Sequence, residues 1–286
     1  MTNSGLRRMA VLVALSTLAL LVAGALVTSN DAALSVSDWP LSWGRLVPPL
    51  EGGIRYEFAH RVLAATVTLL IAIQAFWVQA CERRPWLRKL AWMALAAVLA
   101  QVALGGLVVK LVDPKTLSIA HACLGQLCFG LAVAVAVGLR QTSAGAGGAG
   151  NSVIPWVAVA AMFAQATLGA AVRHKALGVA PHIAAAAVAT VLVMWASLRI
   201  LIRDDMEDAA LRRSATVLLM LTAAQMFLGI AAYSALEATA GAPQPMPLMV
   251  WATVAHVAVG ALALGAAIAL AMAGSDATRC TVDGTL

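Results

Sequence analysis

Eight apolar stretches of similar length run along the chain, at Val11–Val27, Val62–Val78, Leu90–Val109, Leu117–Leu139, Val153–Val172, Ile183–Leu201, Ala215–Ala232 and Leu248–Met272. Each is close to the roughly 20 residues that a helix needs to cross a hydrocarbon core. The segments between them are polar or rich in Gly and Pro, so the pattern predicts an all-α membrane protein of eight transmembrane helices. An even number of crossings puts both termini on one side. Arg7 and Arg8 precede the first stretch as they would in a signal peptide. That stretch is longer than a signal peptide's apolar region, which ends after about 15 residues, and no clear cleavage site follows it, so it reads as helix 1.

Within these stretches one short pattern recurs. Gln101-Val-Ala-Leu104-Gly105-Gly106, Gln165-Ala-Thr-Leu168-Gly169-Ala170 and Gln225-Met-Phe-Leu228-Gly229-Ile230 fall on the third, fifth and seventh helices, and Val22-Ala-Gly24-Ala-Leu-Val27 is a fainter copy on the first. Each odd helix then leads through an outer loop into an even helix with a histidine near its start. The Gly-rich run Thr142–Asn151 has nothing to bury and reads as a linker. The expected organisation is a four-helix bundle over residues 1–141, a linker over 142–151 and a second bundle over 152–286. Two bundles of even helix number enter the membrane in the same sense, so a pseudo-twofold axis would run along the membrane normal. In the repeat itself, Gly suits close helix approach and Gln an interhelical hydrogen bond.

Composition agrees with the pattern: 62% hydrophobic residues, 11% charged residues and a mean hydropathy of +0.89 exclude an ordinary soluble domain. Of the 19 Lys and Arg, Arg7, Arg8, Arg83, Arg84, Arg88, Lys89, Arg140, Arg199, Arg203, Arg212, Arg213 and Arg279 share one side, leaving seven on the other. The positive-inside rule places that side, and both termini, in the cytoplasm. Asp204, Asp205, Glu207 and Asp208 weigh little in the rule. The net charge of +6 therefore reflects topology and gives no reason to expect a nucleic-acid partner. Cys81 and Cys280 lie on the cytoplasmic side, and Cys123 and Cys128 diverge on one helix, so no disulfide framework is expected.

His60, His121, His182 and His256 all lie in the first turns of the even helices, which run in the same direction, so they share one depth near the outer face. A lone membrane histidine is as well explained by packing or proton relay. Four in register, two per half, present pairs of imidazoles across a gap, which suits a metal with two axial ligands. A haem between bundle helices is that kind of group. A bare zinc site would recruit three or four ligands, and Cys123 points away from His121. His174, in Arg173-His174-Lys175, falls outside the pattern and reads as a surface or propionate-contacting residue.

The second helix opens with Tyr56-Glu57-Phe58-Ala59-His60-Arg61. At separations of three and four, Glu57 shares a face with His60 and Arg61. The bland reading is an ion pair with Arg61. An ionisable group at this depth beside a ligand histidine points to function, either proton transfer or stabilisation of developing positive charge. Neither His182 nor His256 has such a neighbour, so the two sites are chemically unequal.

These residues carry a resemblance. Tyr56–Arg61, Leu104-Gly-Gly-Leu-Val-Val109, the four spaced histidines and the outer segment Leu34-Ser-Val-Ser-Asp38-Trp39-Pro40-Leu-Ser-Trp43-Gly44 resemble the haem A synthase family over nearly the whole length. The resemblance implies oxidation of the C8 methyl group of haem O to the formyl group of haem A. It implies that His60 and His121 hold the substrate haem, with Glu57 as the catalytic residue there. It also implies that His182 and His256 hold a haem b cofactor. Arg61, Arg173 and Lys175, with Lys110 and Lys115, are the candidate propionate contacts. Haem O synthase and an electron donor are the implied partners, in a bacterial cytoplasmic membrane. Many bacterial members carry two cysteines in the first outer loop. Val36 and Ser42 stand at those positions here, so no redox-active disulfide forms there. Trp39 and Trp43 read as interfacial anchors or as a lid over the haem edge, anchoring being favoured. The rival readings are a non-enzymatic dihaem electron carrier, which would set its sites at two depths, and a proton-coupled transporter, which would not need two histidines per half.

Overall fold

The computed structural model describes residues 4–141, 153–202 and 209–276, and among them every element is helical: α1 (Ser4–Ser29), α2 (Ile54–Cys81), α3 (Pro85–Lys110), α4 (Lys115–Arg140), α5 (Ile154–Arg173), α6 (Val179–Leu201), α7 (Ala209–Ala238) and α8 (Pro247–Asp276). All eight are long and apolar enough to cross a membrane, and the chain is an integral membrane protein. The linker 142–151, the segment 203–208, Arg279 and Cys280 lie outside the described residues.

The helices extend past the apolar stretches that mark them. α7 runs from Ala209 to Ala238 and so includes Arg212, Arg213 and Glu237. Helical hydrogen bonding satisfies the backbone wherever the chain leaves the hydrocarbon, so polar side chains continue the helix into the interface. Proline marks the starts: Pro85 opens α3, Pro155 lies in the first turn of α5 and Pro247 opens α8. Its missing N–H is one that a helix start leaves unpaired anyway. Buried threonines satisfy their hydroxyls on their own helix, Thr17 on the Val13 carbonyl at 2.7 Å and Thr222 on Leu218 at 2.8 Å.

Each of α1 to α4 packs on its chain neighbours and α1 closes onto α4; α5 to α8 do the same, with α5 closing onto α8. The two sets meet where α8 lies against α1 and α4, and where α4 lies against α5. Small residues make that seam close. A Cβ on Gly130 would lie 2.9 Å from Ile268 Cδ1, and one on Gly265 3.2 Å from the Phe129 ring. Met249, Val250 and Val254 of α8 pack on Val22, Ala25 and Leu26 of α1, and Ser29 Oγ and Thr253 Oγ1 share a hydrogen bond of 3.0 Å. The outward faces carry exposed Leu12, Leu15, Leu69, Phe76 and Phe227, as a surface solvated by lipid requires.

Candidate functional site: two histidine pairs

His60 of α2 and His121 of α4 face each other across the first ring of helices, with ring centroids 6.5 Å apart and planes at 75°. His182 of α6 and His256 of α8 do the same in the second ring, at 6.4 Å and 79°. Two imidazoles joined through one metal by nitrogen bonds of about 2 Å each would have centroids about 6.3 Å apart. Both gaps match that span. Among the described residues no group of three or more His, Cys, Asp or Glu could hold a metal ion, so each site offers two protein ligands.

The repeat on the odd helices is what holds these rings. A Cβ on Gly24 would stand 3.2 Å from His60 Cε1; on Gly105, 2.9 Å from His121 Cε1; on Gly169, 3.1 Å from His182 Cε1; on Gly229, 3.0 Å from His256 Cε1. Four times over, an odd helix gives up its side chain so that the next helix can lay an imidazole edge on its backbone. One turn before each glycine, the backbone carbonyls of Leu20, Gln101, Gln165 and Gln225 lie beside the same four rings. The Nδ1 atoms of His60, His121 and His256 are buried without a formed hydrogen bond. Metal-bound histidines commonly direct this nitrogen at such a carbonyl, and the cradle and the orphaned nitrogens fit a bis-imidazole metal group. The sequence pattern alone pointed to helix packing. Its offset from the histidines was the available signal for this second role, because only tertiary contact brings Gly24 to His60.

The glutamines divide the two sites. Gln165 Nε2 lies 3.1 Å from His182 Nδ1 and donates to the His182 carbonyl at 3.0 Å, and Gln225 Nε2 lies 3.2 Å from His256 Nε2. Gln101 Nε2 reaches only the His121 carbonyl, at 2.9 Å. On α1 the equivalent residue is Leu20, which has no amide to offer. Both imidazoles of the second pair therefore touch a side-chain amide, and neither of the first pair does.

Over the first pair lies the connection between α1 and α2. Glu57 is 4% exposed, and both its oxygens are engaged: Oε2 accepts the Val36 N–H at 2.8 Å and Oε1 accepts from Arg61 at 2.5 Å. Arg61 also donates to the carbonyls of Val36, Asp38 and Leu41 at 3.1, 2.7 and 2.8 Å. The pair thus clamps the loop to α2. Val36 and Ser42 are both buried within that loop. Asp38 caps its turn, accepting from the backbone N–H of Gly44 at 2.8 Å and of Trp43 at 2.6 Å, and these bonds hold its carboxyl below the usual range. Trp39 packs on Gly106, where a Cβ would stand 2.9 Å from its ring, and Lys110 Nζ lies 5.8 Å above that ring. So the two glycines of Leu104-Gly105-Gly106 take His121 and Trp39 respectively. Trp39 packs as a cover on the bundle, while Trp43 is 53% exposed.

The remaining basic residues gather at the same end. Arg173 donates to the Thr28 carbonyl at 2.5 Å, and Lys115 Nζ to the Lys175 carbonyl at 3.0 Å. Arg61 is committed to the loop. Arg173, Lys175 and Lys115 sit between the two halves, with half-buried His174 beside Arg173 and Asp113.

A family model described as cytochrome oxidase assembly protein matches residues 2–133 and, overlapping, 54–182. A protein of Symbiobacterium thermophilum named Heme A synthase is 30% identical over 246 residues, which is 72% of this chain and 78% of that protein. One of Beijerinckia indica with the same name is 33% identical over 152 residues, 48% of this chain and 42% of that protein. A third, from Shouchella clausii, is 33% identical over 108 residues, 36% of this chain and 35% of that protein. The match thus spans less than half of the Beijerinckia and Shouchella proteins.

Proposed function

The chain belongs to the haem A synthase family, and from that premise we propose that it oxidises the C8 methyl group of haem O to the formyl group of haem A. The observation that carries the reading is the pair of 6.5 and 6.4 Å histidine gaps, each backed by glycines. His60 and His121 hold the substrate haem, and His182 and His256 hold a haem b. When bound, that haem b supplies one-electron redox chemistry. The protein's own contribution is to grip, orient and cover.

Three features support the assignment of roles. Only the first pair lies beneath the loop clamped by Glu57 and Arg61, with Trp39 on its flank. Only that pair has a carboxylate within one turn of a ligand histidine. Only the second pair has a glutamine amide against each ring, which makes its surroundings chemically unlike those of the first. Glu57 is the residue positioned to move a proton at the substrate, its charge balanced by Arg61. Arg173 and Lys175 are the propionate contacts best placed for both halves. Arg61 contributes by holding the loop, and Lys110 lies over Trp39.

The two bundles are related by a pseudo-twofold axis along the membrane normal. The protein sits in a bacterial cytoplasmic membrane with both termini in the cytoplasm, receives haem O from haem O synthase and draws on an electron donor. The test is to purify the chain from cells able to make haem O and identify the extracted haems by chromatography and mass. Haem b together with haem O or haem A supports the synthase. Two equivalents of haem b alone would indicate an electron carrier, and no haem at all a transporter. Glu57→Gln is expected to retain both haems and lose turnover; full turnover in that variant removes Glu57 from the chemistry.

A further inference from the structure

At the helix ends away from the histidines, Arg7 and Arg8 of α1 and Arg140 of α4 line an open cleft of about 390 Å³ together with Val11. Arg7 is fixed there, because its Nε donates to the Leu139 carbonyl at 3.0 Å. Its Nη2 is buried with no hydrogen-bond partner among the described residues. A buried guanidinium donor without an acceptor is costly, and three cations around one space repel each other. No carboxylate is among the four lining residues. The contrast with Arg84 at the same end is plain, for Arg84 pairs with Glu82 at 2.8 Å. The cleft has the chemistry of an anion site.

The wall beside it narrows the choice of anion. From Arg8 the outer face of α1 continues as Val11, Leu12 and Leu15, which are 40%, 49% and 60% exposed. These residues form an apolar stripe one and two turns deeper into the membrane. A free phosphate would use the arginines and leave the stripe untouched. A glycerolipid would use both, its phosphate forked between guanidiniums and its acyl chain along Val11–Leu15.

We propose that Arg7, Arg8 and Arg140 bind the phosphate of an anionic glycerolipid at the seam of α1 and α4. This site is separate from the histidine pairs and does not depend on their assignment. The test uses the full chain in detergent with phosphatidylglycerol or phosphatidylcholine of matched acyl chains, read by native mass spectrometry. Wild type is expected to retain phosphatidylglycerol preferentially. Arg8→Gln with Arg140→Gln should cut that retention about 25-fold, at about fivefold for each cation near a membrane surface. Both residues are exposed, so the fold should survive, and a melting curve confirms it. Arg199→Gln with Arg213→Gln, the same loss of two charges at exposed positions of α6 and α7, should change nothing. Leu15→Ser should weaken the lipid and leave binding of inorganic phosphate unaltered. Equal retention of the two lipids by wild type overturns the proposal. So does an unchanged preference in the double variant, or displacement of the lipid by inorganic phosphate at equal concentration, which would mark a free-phosphate site.

Discussion

Gly105→Ala is the sharpest probe of how the histidines are held. The added Cβ would stand 2.9 Å from His121 Cε1, whereas ordinary contact begins at 3.4 Å, so the ring must recede. Any shift disturbs its place opposite His60, where a metal–nitrogen bond of about 2 Å leaves little slack. Overpacking a fitted site costs about 1–3 kcal/mol, which is a loss of about 5- to 150-fold in haem retention. The same geometry ranks the four seats. The contact made by an added Cβ is tightest at Gly105, and it relaxes to 3.0 Å at Gly229, 3.1 Å at Gly169 and 3.2 Å at Gly24. Haem-to-protein ratios of purified variants, with the rate of haem transfer to apomyoglobin, should follow that order. Gly106→Ala is the internal control, since its Cβ meets Trp39 and no histidine; it should loosen the cover and leave ligation intact. Wild-type haem content and spectrum in Gly105→Ala, or Gly24→Ala proving the most damaging, would refute the seating argument.

Further expectations follow from the glutamines and the loop. One hydrogen bond is worth about 1 kcal/mol net, or about fivefold. Gln165→Leu and Gln101→Leu remove the bonds to the His182 and His121 carbonyls and should each speed haem loss from their own pair by about that factor, with apomyoglobin transfer as the assay; no change in either would leave the amides without a role in retention. Asp38 is depressed below its ordinary value of 3.8 by the N–H groups of Gly44 and Trp43. Its contribution is present above that pH and is lost only as the pH falls below it. Exchange protection of the Trp43 and Gly44 amides should stay level on acidification to that point and then drop. A drop between about pH 5 and 6 would contradict the sign.

The apolar stretches determined much of this protein unaided. In a bilayer an unpaired backbone group has no water to turn to, so a run of about 20 apolar residues has little choice but to be a helix, and the eight runs became α1 to α8. That His60, His121, His182 and His256 fall in the outer part of α2, α4, α6 and α8 was legible from the chain, but which rings face each other was decided by packing: His182 and His256 meet although they lie three and nine residues from their helix starts. The residues that hold each imidazole from behind were not legible either. Gly24 and His60 lie on different helices, and their contact depends on how α1 turns its face to α2. The repeat looked like a packing motif because a glycine in a helix states only that something approaches closely. Whether that is a backbone, an imidazole or, at Gly106, the Trp39 ring is decided by rotation of neighbouring helices, which apolar composition does not encode. Glu57 follows the same logic. Spacing placed it one turn from His60 and Arg61, while only the folded loop brought the Val36 N–H to its second oxygen.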